Sequence, residues 1–179
     1  RGGGGRRTSP GRPAAWWHPR RPVMGRQCFP VNRAARAACV RPTARAAAYR
    51  LDVTGRVPAR LTLDLEQIRS MPQHSTTLPI ACVEGWSATQ DWEGIRLRDL
   101  LARAGVHDVS DVRIESLQLH RSYRSSIVDA DQLSDPDTLL ALRVNGSDLA
   151  LDHGYPLRLI APNRPGVMQT KWVARVVVL

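Results

Sequence analysis

The 179-residue chain has no acidic residue in its first 50 positions, one lysine, one phenylalanine and three cysteines. Each shortage excludes something. Cys28, Cys39 and Cys82 are an odd number at spacings that match no zinc pattern, so neither a disulfide framework nor a zinc module is expected. No apolar run approaches the length of a membrane helix, and no apolar segment follows Arg6-Arg7 as a secretory signal requires. The chain starts at Arg rather than Met, which leaves room for an upstream segment, so the lack of a visible signal carries no weight for the whole protein. No glycine-rich phosphate fingerprint follows a strand, and no Gly-x-Ser-x-Gly elbow occurs, which argues against a dinucleotide fold, a P-loop or a serine hydrolase.

The formal charge of +10 at first suggests a nucleic-acid partner, but its distribution argues otherwise. Twelve arginines fall within residues 1–50, whereas from Leu51 onward 14 basic residues meet 16 acidic ones, a net of −2. A run of one sign reads as a solvated tail, so nucleic acid is not an expected partner of the folded part. Residues 1–28, rich in Gly, Arg and Pro around Trp16-Trp17, are predicted to be a disordered tail. Residues 29–179 are enough for one domain with one core.

Tyr49, Leu51 and Val53 alternate with polar residues up to Gly55, and Leu61, Leu63 and Leu65 repeat the pattern; both predict strands. Asp64 is placed to cap a short helix from Leu65 to Ser70, closed by Pro72. A buried strand is predicted over Leu78–Val83, and an amphipathic helix over Leu97–Ala104 with Gly105 as its left-handed cap. Further strands are predicted over Val112–Leu119, Leu157–Ala161 and Trp172–Leu179. Asn145-Gly146 between apolar runs predicts a hairpin within Leu140–Leu151. Phe29–Ala48 reads as loop with a short helical piece. The expected class is α+β, mainly β, with two short helices.

Three groups of residues carry candidate chemistry. Cys82 stands where a strand meets a loop, in Pro79-Ile80-Ala81-Cys82-Val83-Glu84-Gly85-Trp86-Ser87. There a thiolate serves as nucleophile or soft metal ligand, unless the residue is an inert, buried cysteine. His153 and Arg158, in His153-Gly154-Tyr155-Pro156-Leu157-Arg158, suit an anion; the bland alternative is an exposed turn histidine and an edge-strand arginine. Lys171 follows the irregular loop Pro162–Thr170, whose backbone N–H groups and flanking cations suit phosphate. His107, His120, Asp129 and Asp131 show no spacing that makes a site, and Trp86 and Trp92 read as core or loop anchors.

Two blocks together resemble a known family. Cys82-Val83-Glu84-Gly85-Trp86-Ser87, followed by Trp92-x-Gly94 and Leu97-x-Asp99-Leu100-Leu101, is similar to the metal-binding segment of the sulfite-oxidase-fold molybdopterin oxidoreductases. Asp152 through Pro162, with Gly166 through Trp172, resembles their cofactor-holding segment. The likeness runs from Phe29 to Leu179 and is nearest the bacterial branch that includes methionine-sulfoxide reductase catalytic subunits. It implies a sulfite-oxidase-type molybdopterin-binding fold with short peripheral helices, and molybdenum held by a pyranopterin dithiolene and the Cys82 thiolate. It also implies two-electron oxygen-atom transfer between Mo(VI) and Mo(IV), with the cofactor supplying the hard chemistry.

By position, the resemblance assigns His153 to the pterin, Arg158 to its phosphate, and Gln169, Thr170 and Lys171 to a closing clamp. Ser116 and Asn32 match further cofactor contacts. Sulfite oxidases of this family carry a basic cluster after the ligand cysteine. Here Glu84 stands in that stretch and would repel a dianion, so a small neutral oxo-substrate such as a sulfoxide is expected rather than sulfite. The implied partners are that substrate and an electron-transfer partner, either a separate protein, for example a haem- or quinone-linked membrane protein, or a segment missing from this chain. The full-length protein is expected to be extracytoplasmic or membrane-associated. The alternative function is a truncated, non-catalytic molybdopterin-binding module.

Overall fold

The computed structural model describes residues 27, 29–40, 47–82, 85–108, 111–119 and 123–179. Most of the predicted tail and Glu84 therefore lie outside the described residues. Gln27, inside the predicted tail, is already tied to the domain: its amide donates to the Asp148 carbonyl at 2.9 Å and accepts from Ala150 N–H at 2.9 Å.

Among the described residues, ten strands form two five-stranded sheets. The first has the order β2 (Leu61–Leu63), β1 (Leu51–Gly55), β10 (Val173–Val178), β5 (Asp111–Ser116), β6 (Ser125–Asp129). Only β1 and β10 pair in parallel; the other neighbours in this sheet are antiparallel. The second runs β3 (His74–Ala81), β4 (Ser87–Arg96), β7 (Leu139–Val144), β8 (Ser147–Asp148), with β9 (Arg158–Ile160) also on β7. Three short helices are added, α1 (Leu65–Arg69), α2 (Leu97–Arg103) and α3 (Ala130–Ser134). The class is mainly β, as expected.

The main core cluster draws Leu51, Val53, Ile114 and Val176 from the first sheet and Ile95, Leu140, Leu142 and Leu159 from the second. Leu65 and Ile68 of α1 and Leu97, Leu100 and Leu101 of α2 join it. Other residues of β7 point the other way: Leu139, Ala141 and, past the register shift, Val144 pack with Phe29, Ile80 and Trp92. The uninterrupted apolar run of β7 thus comes from a strand buried on both faces. Each fully buried side chain of this size contributes roughly 1.5–3 kcal/mol relative to exposure, so this strand is a stiff base for the segments it carries.

Local rules hold where they were strongest. Asp64 accepts from Gln67 N–H at 2.8 Å while the Gln67 side chain accepts from Asp64 N–H at 2.9 Å, a full capping box for α1. Asn145 (φ 49°) and Gly146 (φ 75°) are both left-handed, the requirement of a tight hairpin loop between β7 and β8.

Other expectations are corrected. The strand predicted as buried over Leu78–Val83 is the edge strand β3, ending at Ala81, and only Ile80 of it is buried. Among the described residues it pairs with β4 alone, which leaves its other side open. Strand β4 and the pair β6 and α3 were not expected: β4 has no apolar alternation over Ser87–Asp91 and gains its order from two neighbours. The predicted strand to Leu119 ends at Ser116, and the last strand starts after Trp172, whose φ of 53° breaks the extended backbone.

Strands β4 and β7 shift register between Glu93 and Gly94, where the backbones nearly touch. A Cβ on Gly94 would lie 2.1 Å from the Leu140 carbonyl oxygen, and backbone cannot yield as a side-chain tip does. Gly94→Ala is expected to destabilise the domain by about 3 kcal/mol or more. A urea midpoint equal to the parent's would refute this packing.

Candidate functional site

Cys82 follows the last residue of β3 and is buried, at 8% exposure. Its N–H donates to the Trp86 carbonyl at 2.8 Å and its carbonyl accepts from Gly85 N–H at 3.0 Å, closing a small loop just beyond the thiol. Gly85 has φ 90°, which suits the reversal. The thiol opens on a cavity of about 140 Å³. Asn32, Gln169, Thr170 and Lys171 share the wall, with Arg33, Gln118, Tyr123 and Trp172.

Two chain crossings bring Cys82 and the clamp loop together. Gly166 packs on the end of β3, where an added Cβ would meet the Ala81 carbonyl and Ile80 at 3.0 Å. Ser116 at the end of β5 donates to the Lys171 carbonyl at 2.7 Å, and the Thr170 hydroxyl meets the Ser126 hydroxyl of β6 at 2.8 Å. Ser116 does not line the cavity; it holds the backbone of a residue that does.

Behind the cavity wall lies a polar cluster centred on Gly154, whose φ is 115°. A Cβ there would stand 3.1 Å from that of Arg158 and 3.2 Å from that of Lys171, so glycine lets the two cationic stems approach. His153 is 1% exposed and stacks on Phe29, ring centroids 3.8 Å apart. Neither of its ring nitrogens has a hydrogen-bond partner among the described residues. Arg158 is buried in β9; one guanidinium nitrogen donates to the His153 carbonyl at 3.0 Å, the Trp92 ring lies 5.5 Å away, and Nε is unpartnered. The exposed turn histidine and edge arginine of the bland reading are thus replaced by two buried groups.

Lys171 Nζ donates to the carbonyls of Arg33 and Asp152, each at 2.7 Å. The Asp152 carboxylate accepts from Ala35 N–H at 2.8 Å. Residues 29–35 therefore wrap the cluster, with Phe29 on the imidazole and Arg33 on the lysine. Sequence reasoning passed over Phe29, Arg33, Gln118 and Tyr123. The only available signal was proximity: Arg33 follows Asn32, and Gln118 lies two residues after Ser116.

Burial pulls the Arg158 guanidinium down to about 9. Burial, then the Arg158 charge, pulls the Lys171 amine well below its usual range. No ion pair among the described residues includes either cation. Buried cations, a neutral imidazole and unspent donors suit an anionic, multiply hydrogen-bonding ligand such as a phosphorylated pterin. Among the described residues no group of three His, Cys, Asp or Glu could hold a metal ion. A metal at Cys82 therefore depends on donors brought by a cofactor, and a dithiolene supplies two soft sulfurs. The residues fit such a group.

Comparison with known proteins agrees. A family model described as oxidoreductase molybdopterin binding domain matches residues 38–179. The chain belongs to that family. Mitochondrial sulfite oxidase of Drosophila melanogaster is 34% identical over 156 residues, covering 73% of this chain and 27% of that protein. The putative protein-methionine-sulfoxide reductase subunit YedZ1 of Azospira oryzae is 30% identical over 128 residues, covering 72% and 48%. The sulfane dehydrogenase SoxCD from Paracoccus pantotrophus superposes with a TM-score of 0.67 at 28% identity, over 73% of this chain and 38% of that one. The chain spans only about a quarter to a half of the length of these relatives. Fold and cofactor expectations stand: this is a sulfite-oxidase-type domain, and molybdenum–molybdopterin is the cofactor of its family.

Burial, then the charges of Arg158 and Lys171, lowers the His153 pKa from 6.5 to about 4, against the opposing pull of Asp152. The unfolded chain therefore binds this proton first as pH falls. Stability from this site is complete above pH 6.5 and is lost on acidification toward pH 4, by on the order of 3 kcal/mol. Urea unfolding of the parent and of His153→Gln between pH 7.5 and 4 should show the steeper acid loss in the parent. Parallel pH curves would rule the assignment out.

Proposed function

We propose that this domain catalyses two-electron oxygen-atom transfer on a small neutral oxo-substrate of the sulfoxide class, with Cys82 as the protein ligand to molybdenum. The observation that carries this reading is the placement of the Cys82 thiol in one cavity wall with Gln169, Thr170 and Lys171. When bound, the cofactor supplies a two-electron redox centre able to exchange an oxygen atom. The sulfoxide takes up two electrons and two protons, its sulfur–oxygen bond breaks, and thioether and water leave.

The chain's own residues bind and orient. Arg158 and Lys171 supply positive charge for the pterin phosphate, and His153, fixed by Phe29, offers the pterin a neutral ring nitrogen. Asn32, Gln169 and Thr170 complete the wall, and Ser116 steadies Lys171 through its backbone. Glu84 lies two residues from Cys82 in sequence, and a carboxylate near the thiol would disfavour a sulfite dianion. Electrons arrive from a separate haem- or quinone-linked protein, and the full-length protein works outside the cytoplasm or at a membrane.

Expression in a host that makes molybdenum cofactor tests this directly. The parent should carry near-stoichiometric molybdenum and pterin and turn over methionine sulfoxide with an artificial reductant. Cys82→Ser should fold and lose on the order of 100-fold in turnover, because even groups that only support a metal ligand cost 10–100-fold. A folded parent without molybdenum would end the proposal, and bound cofactor without turnover would favour a non-catalytic binding module.

Arg158→Gln is expected to weaken pterin retention roughly tenfold or more, the scale of a lost charged hydrogen bond. Pterin fluorescence after gel filtration measures it. Undiminished pterin would remove Arg158 from the phosphate site.

A further inference from the structure

Gln118 is 3% exposed, lines the cavity that Cys82 opens on, and has no part in the roles assigned above. Its backbone is fixed: Gln118 N–H donates to the Ser116 hydroxyl at 3.2 Å, and Leu117 N–H to the Trp172 carbonyl at 2.7 Å. Its side-chain oxygen accepts from Arg33 Nη1 at 3.4 Å, which sets the amide's orientation and leaves Nε2 as the end without a partner among the described residues. An amide N–H2 withdrawn from water with nothing to donate to is costly, and such groups in native proteins have a reason.

The other unpartnered polar atoms nearby do not fill this role. His153 and Arg158 stand behind the cavity wall, and the free atom of Gln169 is an oxygen, which only accepts. Lys171 spends its amine on two carbonyls. Tyr123 is 55% exposed at the rim, where water reaches it. Gln118 is thus a buried neutral donor in the wall beside the thiol. An uncharged donor suits an acceptor oxygen that carries partial rather than full negative charge, the oxygen of a sulfoxide.

We propose that Gln118 is the specificity-determining residue that recognises the oxygen of the substrate through its side-chain N–H2, with Arg33 as the positioning residue that orients the amide. This rests on the sulfoxide reading given above.

The test compares two ligands differing by that oxygen, methionine sulfoxide as substrate and methionine as product inhibitor, on the molybdenum-loaded parent, Gln118→Leu and Gln118→Glu. Leucine removes the donor, and glutamate replaces it with an acceptor of the same shape. Both variants should raise the KM for the sulfoxide roughly fivefold or more, the scale of one hydrogen bond. Inhibition by methionine, molybdenum content and pterin content should stay unchanged. In Gln118→Glu the KM should recover as acidification protonates the carboxylate and restores a donor.

An unchanged KM in both variants overturns the inference. So does an equal weakening of sulfoxide and thioether, which marks a merely structural residue, or loss of pterin, which moves Gln118 into the cofactor clamp. A loaded parent that does not turn over the sulfoxide overturns the substrate reading itself, and the inference with it.

Discussion

Two cations are held out of water around Gly154, and much of the molecule is arranged to keep them there. Arg158 and Lys171 are served by the carbonyl oxygens of His153, Arg33 and Asp152 and by the faces of Trp92 and Trp172. Taking a charge out of water costs roughly several kcal/mol per ion, and carbonyl dipoles and ring faces offset part of it. A fold that sustains such a cost must be stiff elsewhere. Here the stiffness comes from β7, packed on both faces, and from β9 laid beside it, which carries Arg158. An anionic cofactor would offset that cost on binding, so the cluster is prepared for such a ligand.

The clamp loop shows how a segment of little regular structure is made rigid. Arg164 reaches the Met168 carbonyl at 2.9 Å and also bonds Gln132 and the Ile127 carbonyl, tying the loop to α3 and β6. Gln169 donates to the Arg164 carbonyl at 3.0 Å, Thr170 is fixed by Ser126, and Lys171 by Ser116. These bonds satisfy backbone and side-chain groups that would otherwise be orphaned by burial. They also set where Lys171 and Gln169 stand relative to Cys82. Residues outside the cavity wall thus govern its shape.

The polar character of that cavity bears on chemistry. Its charged wall residues are cationic, and among the described residues the one free side-chain donor deep in it is the neutral amide of Gln118. On the proposed reading, cofactor charge and substrate neutrality would be handled by different groups: the buried cations for the first and the amide for the second. The relatives act, by their names, on sulfite, on sulfane and on protein methionine sulfoxide.

The sequence by itself determined the elements whose signals are local. Asp64 and Gln67 lie three residues apart and cap α1, and Asn145-Gly146 can adopt the two left-handed conformations of a hairpin loop. The two blocks around Cys82 and around Arg158 and Lys171 were likewise legible, because their residue types and order carry the family resemblance. Only the tertiary structure decided that β3 is an exposed edge, that β4 exists, and that His153 and Arg158 are buried. It also decided that Phe29, Arg33 and Gln118 belong to the site. The reason is physical: capping and turn geometry act within a few residues, whereas burial and strand pairing depend on partners distant in sequence, as with β4 and β7, Arg33 and Gln118, or Lys171 and Arg33.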